Sequence, residues 1–193
     1  MFHLEKAMPW PELHDQLKEV PLLQQPGDSR PAIYPYANAE ITLERVRYDE
    51  VYPKTLYVLR SNLATQENIA HDLGHAGVDP LELMGAITIA EDDLQPIGMM
   101  PPIIEEYEGK LGLIDGGHRA CRGRWIGRTS FMGVVVRGVP EEYPPYALNN
   151  TWDDIRIHET VPPELSDRKH YVGPHYKSLY RDYSHIIKSG LRG

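Results

Sequence analysis

Apolar and polar positions change period several times along the chain, and each change marks an element. Leu13, Leu17 and Val20 recur at helical spacing behind Pro11, which suits a first helical turn, so a short helix is predicted over residues 11–20. Residues 21–38 carry Pro21, Pro26, Gly27, Pro31 and Pro35 and read as a loop wrapping over the domain. Residues 41–46 alternate apolar and polar, the pattern of a half-buried strand. Residues 51–59 are β-branched and aromatic, with Pro53 arguing against a central strand. Thr65 is an N-cap candidate for a helix running to about Ala76, with Gly77 as its stop. Residues 80–90 fit either a short helix or a segment ending in a strand at 86–89.

The pattern sharpens after Pro102. Residues 103–107, a Glu108-Gly109 turn and residues 110–114 read as a β-hairpin. Asp115-Gly116-Gly117-His118-Arg119 follows directly, then a helix over 120–126 stopped by Gly127. Residues 131–139 form an apolar run expected to be buried on both faces. A proline-marked loop covers 143–163, and Leu179, Tyr180, Tyr183, Ile186 and Ile187 predict an amphipathic helix over 176–189 with Gly190 at its stop. That stripe is a packing face, or a homodimer face if exposed.

The chain of 193 residues, 41% hydrophobic and 25% charged, suits one domain with additions. No apolar run approaches the roughly 20 residues of a membrane span, the first ten residues lack a signal-peptide layout, and Cys121 stands alone. A cytoplasmic protein without membrane attachment is expected. The net charge of -8 argues against DNA as a partner, yet Lys110, Arg119, Arg122, Arg124, Arg128 and Arg137 face only Asp115 in one segment. Such a segment fits either a solvated charged face or a small anionic ligand. His71 and His75 stand at i, i+4, but the residues between them lack the glutamate of a zinc protease motif, so a surface pair is expected.

The strand–loop–helix unit from Lys110 to Ile126 carries the chemistry. Consecutive glycines allow close backbone approach or positive φ, and a helix N-terminus behind them favours anions. His118 and Arg119 add donors for phosphate oxygens, and Asp115 could hold Mg²⁺ or a substrate hydroxyl or amine.

The run Pro101-Pro102-Ile103-Ile104, the hairpin, Asp115-Gly116-Gly117-His118-Arg119, the helix, Gly127 and the apolar strand resemble the ParB N-terminal/sulfiredoxin-like superfamily over roughly residues 41–139. The resemblance implies an α+β fold, a mixed sheet with flanking helices, whose loop holds nucleotide phosphates. It divides the chain into a helix and proline-rich wrap at 1–40, the nucleotide-binding domain at 41–140, and a C-terminal loop and amphipathic helix at 141–193. Sulfiredoxins carry a catalytic cysteine where this chain has Gly117, so that nucleophile is missing, and Cys121 is expected to be a packing residue. Partition proteins append a helix-turn-helix reader, for which this chain is too short and too acidic. The free-serine kinases, with Asp-Gly-His-His-Arg, differ from this loop by one residue.

On that resemblance the chain is expected to transfer a phosphoryl group from ATP, ADP or another nucleotide, with Mg²⁺, to a hydroxyl of a small metabolite such as serine. Gly116, Gly117, His118 and Arg119 would hold phosphates. Asp115 would bind metal and, with His118, act in catalysis. Glu50 would be the base, with Asp49 as its near alternative. Ser166, Arg168 and His170 would contact substrate. The alternative is a ParB-like nucleotide-binding regulator without kinase activity.

Overall fold

A computed structural model of the chain describes residues 1–24, 29, 31–91, 96–148 and 151–186. The fold is α+β. In chain order its elements are β1 (Phe2–Pro9), α1 (Trp10–Lys18), β2 (Glu40–Arg47), β3 (Val51–Pro53), β4 (Tyr57–Leu59), α2 (Arg60–His75), β5 (Gly85–Glu91), β6 (Ile97–Met99), β7 (Ile103–Tyr107), β8 (Lys110–Asp115), α3 (Gly117–Trp125), β9 (Ser130–Arg137) and β10 (Arg156–His158).

The main sheet is mixed and five-stranded, in the order β2-β9-β7-β8-β3. β9 pairs antiparallel with β2 and parallel with β7, and β8 pairs antiparallel with β7 and parallel with β3. Successive residues of β9 point to opposite faces, and both faces are covered. Val134 and Val136 pack with Leu13, Leu17, Ile103 and Ile114, while Val135 joins Phe131, Ile104, Leu113 and Ala120 on the other side. The apolar run of β9 is therefore buried twice over, as its composition predicts. The β7–β8 turn has φ of 51° at Glu108 and 73° at Gly109, the two positive values a type I′ hairpin requires. Pro53 lies in β3, the edge strand, where its missing N–H leaves the ladder intact.

Three elements depart from the sequence reading. Residues 2–9 form β1, paired antiparallel with β5 in a second sheet completed by β6. Only Phe2 of that strand is buried, so no alternation announced it. Where β1 crosses β5, a Cβ on Gly85 would stand 2.2 Å from the carbonyl oxygen of Met8, and only glycine permits that approach. Helix α2 begins at Arg60, five positions before Thr65, whose Oγ1 donates to the Ser61 carbonyl inside the helix at 3.1 Å instead of capping it.

The third departure is the C-terminal segment. Among its described residues 176–186, Tyr176–Leu179 is helical, as a short 3-10 turn, and residues 180–186 are not. Their backbone groups bond across to residues 21–23: Leu23 N–H donates to Tyr180 at 2.7 Å and Asp182 N–H to Pro21 at 2.8 Å. Those partners replace the i→i−4 ladder, yet Tyr180, Tyr183 and Ile186 still pack on the main core. Ile187, Ser189 and Gly190 lie outside the described residues, as do Gln25 to Asp28 and Arg30 of the proline-rich wrap.

Candidate functional site

The loop after β8 is built by strand register and backbone strain. Asp115 ends β8 opposite Ile103, with a bulge beside that pair. Gly116 turns the chain at φ 82°, and a Cβ there would lie 3.0 Å from Pro102. Both facts require glycine. The α3 helix starts at Gly117 with no side-chain cap, and the Ala120 N–H closes its first turn on the Gly116 carbonyl at 3.0 Å. At Gly117 a Cβ would meet nothing within 4 Å. The second glycine therefore leaves open space above an uncapped helix N-terminus.

That space is a cavity of about 410 Å³ walled by the loop, the start of α3, the segment after β3, and residues of the C-terminal region. Its volume falls in the range of small-molecule sites. Asp115, Gly116, Gly117, His118 and Arg119 all border it, as does Arg168. Asp115 is the only carboxylate among the described wall residues. No group of three or more His, Cys, Asp or Glu side chains that could hold a metal stands together among the described residues.

Several expected residues stand elsewhere. Glu50 is exposed in a 3-10 turn before β3, and its carboxylate accepts from the Arg47 backbone N–H at 3.3 Å. β3 runs parallel to β8 with Val51 opposite Leu111, so Glu50 lies at the far end of the strand pair from Asp115, roughly 15 Å away at strand rise. Asp49, its alternative, is exposed and ion-paired with Arg47. Neither borders the cavity. Ser166 and His170 are exposed and do not line it either. Beside Glu50, Trp152 donates its indole N–H to the Tyr48 and Val51 carbonyls, at 2.9 and 2.8 Å.

Arg119 borders the cavity but its guanidinium is engaged. One terminal nitrogen donates to the Pro80 carbonyl at 3.1 Å and the other to the Met100 carbonyl at 2.6 Å, and the residue is 7% exposed. Burial lowers its pKa to about 10. Its structural part is to tie α3 to two loops. The basic segment around it is likewise mostly neutralised: Arg124 pairs with Asp153, Arg128 with Asp79 and Glu82, and Arg137 with Glu44 and Glu106.

Two of the cavity's cations, beside the expected Arg119 and Arg168, are lysines that no sequence motif marks. Lys54 follows β3, and Lys169 lies between Arg168 and His170. Both ammonium groups face the Tyr146 ring, at 4.8 and 5.1 Å from its centroid. Burial lowers Lys54 to about 8, with Asp115 and Glu105 opposing the shift, and it lowers Lys169 as well. Burial also drops His118 to about 4, so its ring is neutral at physiological pH, with Nε2 3.4 Å from the Leu59 N–H. Gln66 lines the cavity at 9% exposure, and its Oε1 has no hydrogen-bond partner. A cavity with several cations, one carboxylate and an open acceptor suits an anionic ligand that also carries a donor.

Cys121 is 1% exposed, and burial pushes its thiol up to about 12, so it packs as the sequence predicts. His71 and His75 form an exposed edge-to-face pair with centroids 4.7 Å apart. Among the described residues no helix is long and apolar enough to cross a membrane.

The mixed sheet, its hairpin and the glycine turn at the α3 N-terminus all lie within the part of the chain that a family model matches. The chain matches the family model of the ParB CE domain over residues 12–156, about three quarters of its length, and belongs to that family. The match extends the likeness from the central sheet to α1 and to β10. No curated protein and no solved structure matches the chain.

Proposed function

We propose that the cavity binds a nucleotide such as ATP or ADP by its phosphates and that the protein transfers a phosphoryl group to a hydroxyl of a small metabolite, with free serine as the model acceptor. The observation that carries this reading is the convergence of the Gly116–Gly117 turn, the uncapped α3 N-terminus and two lysines on one cavity with one carboxylate among its described wall residues; Arg168 borders it too, with its guanidinium donating to the Pro162 and Pro163 carbonyls. Phosphoryl transfer rests on placing phosphates and neutralising their charge, and these groups do both. Mg²⁺ fits as a partner of Asp115, because this ion is commonly held by one or two carboxylates together with substrate phosphates. Among the described wall residues Asp115 is also the one carboxylate able to orient an acceptor hydroxyl; Glu50 has no part in this proposal.

A second reading, a nucleotide-binding regulator without transfer activity, is favoured by one observation: the expected base lies outside the cavity. Incubation with ATP or ADP, Mg²⁺ and free serine, followed by ³¹P NMR, separates the two. Formation of phosphoserine that is lost in Asp115→Asn and retained in Glu50→Gln supports transfer. Tight nucleotide binding without any phosphorylated acceptor supports the regulator.

A further inference from the structure

We propose that Lys54 and Lys169, converging on Tyr146, form a second anion subsite that takes the carboxylate of a small acceptor. The two lysines are 115 positions apart in the chain. Lys54 leaves the end of β3 beside β8, and Lys169 lies in the C-terminal region. Each ammonium group stands near the same ring, so they are at most about 10 Å apart. A second nearby carboxylate, Glu105, is already taken. Glu105 accepts two hydrogen bonds from Arg181, at 2.8 and 2.7 Å, and a third from the Tyr36 hydroxyl. Among the described wall residues Asp115 is then the one carboxylate against two lysines and Arg168, whose guanidinium donates to the Pro162 and Pro163 carbonyls.

Enclosed like charges without matching anions are costly, and a ligand anion relieves that cost. Lysine is a mobile point charge that suits a carboxylate as readily as a phosphate. The Gly116–Gly117 turn already offers backbone N–H groups and a helix end for phosphoryl oxygens. Lys54 lies just beyond Pro53, whose strand partner Leu113 is two residues from Asp115, so the two anion zones are neighbours. A hydroxy acid or hydroxyamino acid could place its hydroxyl toward the loop and its carboxylate toward the lysines. The unpartnered Gln66 Oε1 in the same cavity would accept from a ligand amine. Assigning the carboxylate to a phosphoryl acceptor rests on the function proposed above; the anion subsite itself does not.

The experiment uses calorimetry on the full chain with O-phosphoserine, O-phosphoethanolamine and ADP as probes. O-phosphoserine should bind roughly ten- to a hundred-fold tighter than O-phosphoethanolamine, the range for one or two charged hydrogen bonds. Lys169→Met and Lys54→Met should each shrink that gap. They should also leave the thermal midpoint of the unliganded protein unchanged or raised, because each removes an enclosed cation. Equal binding of the two probes by the native protein overturns the proposal. So does a gap that survives in both variants, and so does loss of ADP affinity alone, which would assign the lysines to nucleotide phosphates. A gap that depends on the lysines in a protein that binds no nucleotide keeps the subsite and removes the phosphotransferase reading.

Discussion

Arg181 holds Glu105 through two hydrogen bonds, at 2.8 and 2.7 Å, across 76 residues of sequence. Glu105 is wholly buried in β7 and Arg181 is 7% exposed. The pair fastens the C-terminal segment to the central sheet, and Tyr180, Arg181 and Tyr183 thereby become part of the cavity wall. Tyr36 completes the group by donating to Glu105 and meeting the Tyr183 hydroxyl at 2.9 Å.

Breaking that pair from one side leaves a buried charge without its counter-ion, although Arg181 keeps its bonds to the Tyr143, Pro144 and Leu179 carbonyls. Glu105→Gln should therefore cost about 3–5 kcal/mol of unfolding free energy. Replacing both residues, as Glu105→Leu with Arg181→Met, should recover much of that loss, since a well-packed apolar pair avoids the desolvation penalty. Urea unfolding of the two variants checks it. A single mutant as stable as the native chain would show that the C-terminal segment is not held by this contact.

Arg119 has a structural load distinct from any ligand. Arg119→Ala should destabilise the fold by roughly 1–3 kcal/mol, because the Pro80 and Met100 carbonyls lose their charged donor in a buried place. Any drop in nucleotide affinity must be read on a sample shown to be folded. Full stability with lost affinity would mean that the two carbonyl contacts contribute little.

His118 predicts the direction of one pH effect. Its ring is neutral in the folded protein, with a pKa lowered from 6.5 to about 4 by burial. Between those values the unfolded chain binds a proton that the folded chain refuses, so stability falls as pH drops from 6.5 toward 4 and is fully present above 6.5. The contribution is at most about 3 kcal/mol by linkage. His118→Gln should flatten that part of the stability profile. An NMR titration of the His118 ring with a midpoint near 6.5 would overturn the assignment.

How far the sequence reached follows from which signals are local. The β7 hairpin, the glycine loop, α3 and β9 were legible because turn chemistry and apolar runs specify them residue by residue. The strand β1 was not, since only Phe2 of its eight residues is buried. The C-terminal stripe marked a packing face correctly but not its backbone, which is set by pairing with residues 21–23. Among the site residues, the loop was found from its glycines. Glu50, expected from the resemblance alone, stands at the far end of β3 from the loop, and strand direction, which sequence does not display, decides that. Lys54 and Lys169 went unnoticed because an isolated lysine beside a proline or a histidine carries no pattern; only the fold brings the two to one ring.

The two loop glycines should behave in opposite ways. Gly116 has φ 82° and its missing Cβ would press on Pro102 at 3.0 Å, so Gly116→Ala should destabilise the protein by about 1–3 kcal/mol through strain alone. Gly117 has open space where a Cβ would stand and begins α3. There alanine replaces glycine in a helix, which stabilises by up to about 1 kcal/mol. If a ligand's phosphate approaches the backbone at this point, the added methyl group stands in its way. Gly117→Ala should thus raise or preserve the thermal midpoint while weakening ADP binding at least ten-fold. Thermal unfolding and calorimetry on the same preparation read both effects. Unchanged ADP affinity in the stable Gly117→Ala variant would move the phosphates away from the loop and toward the lysines.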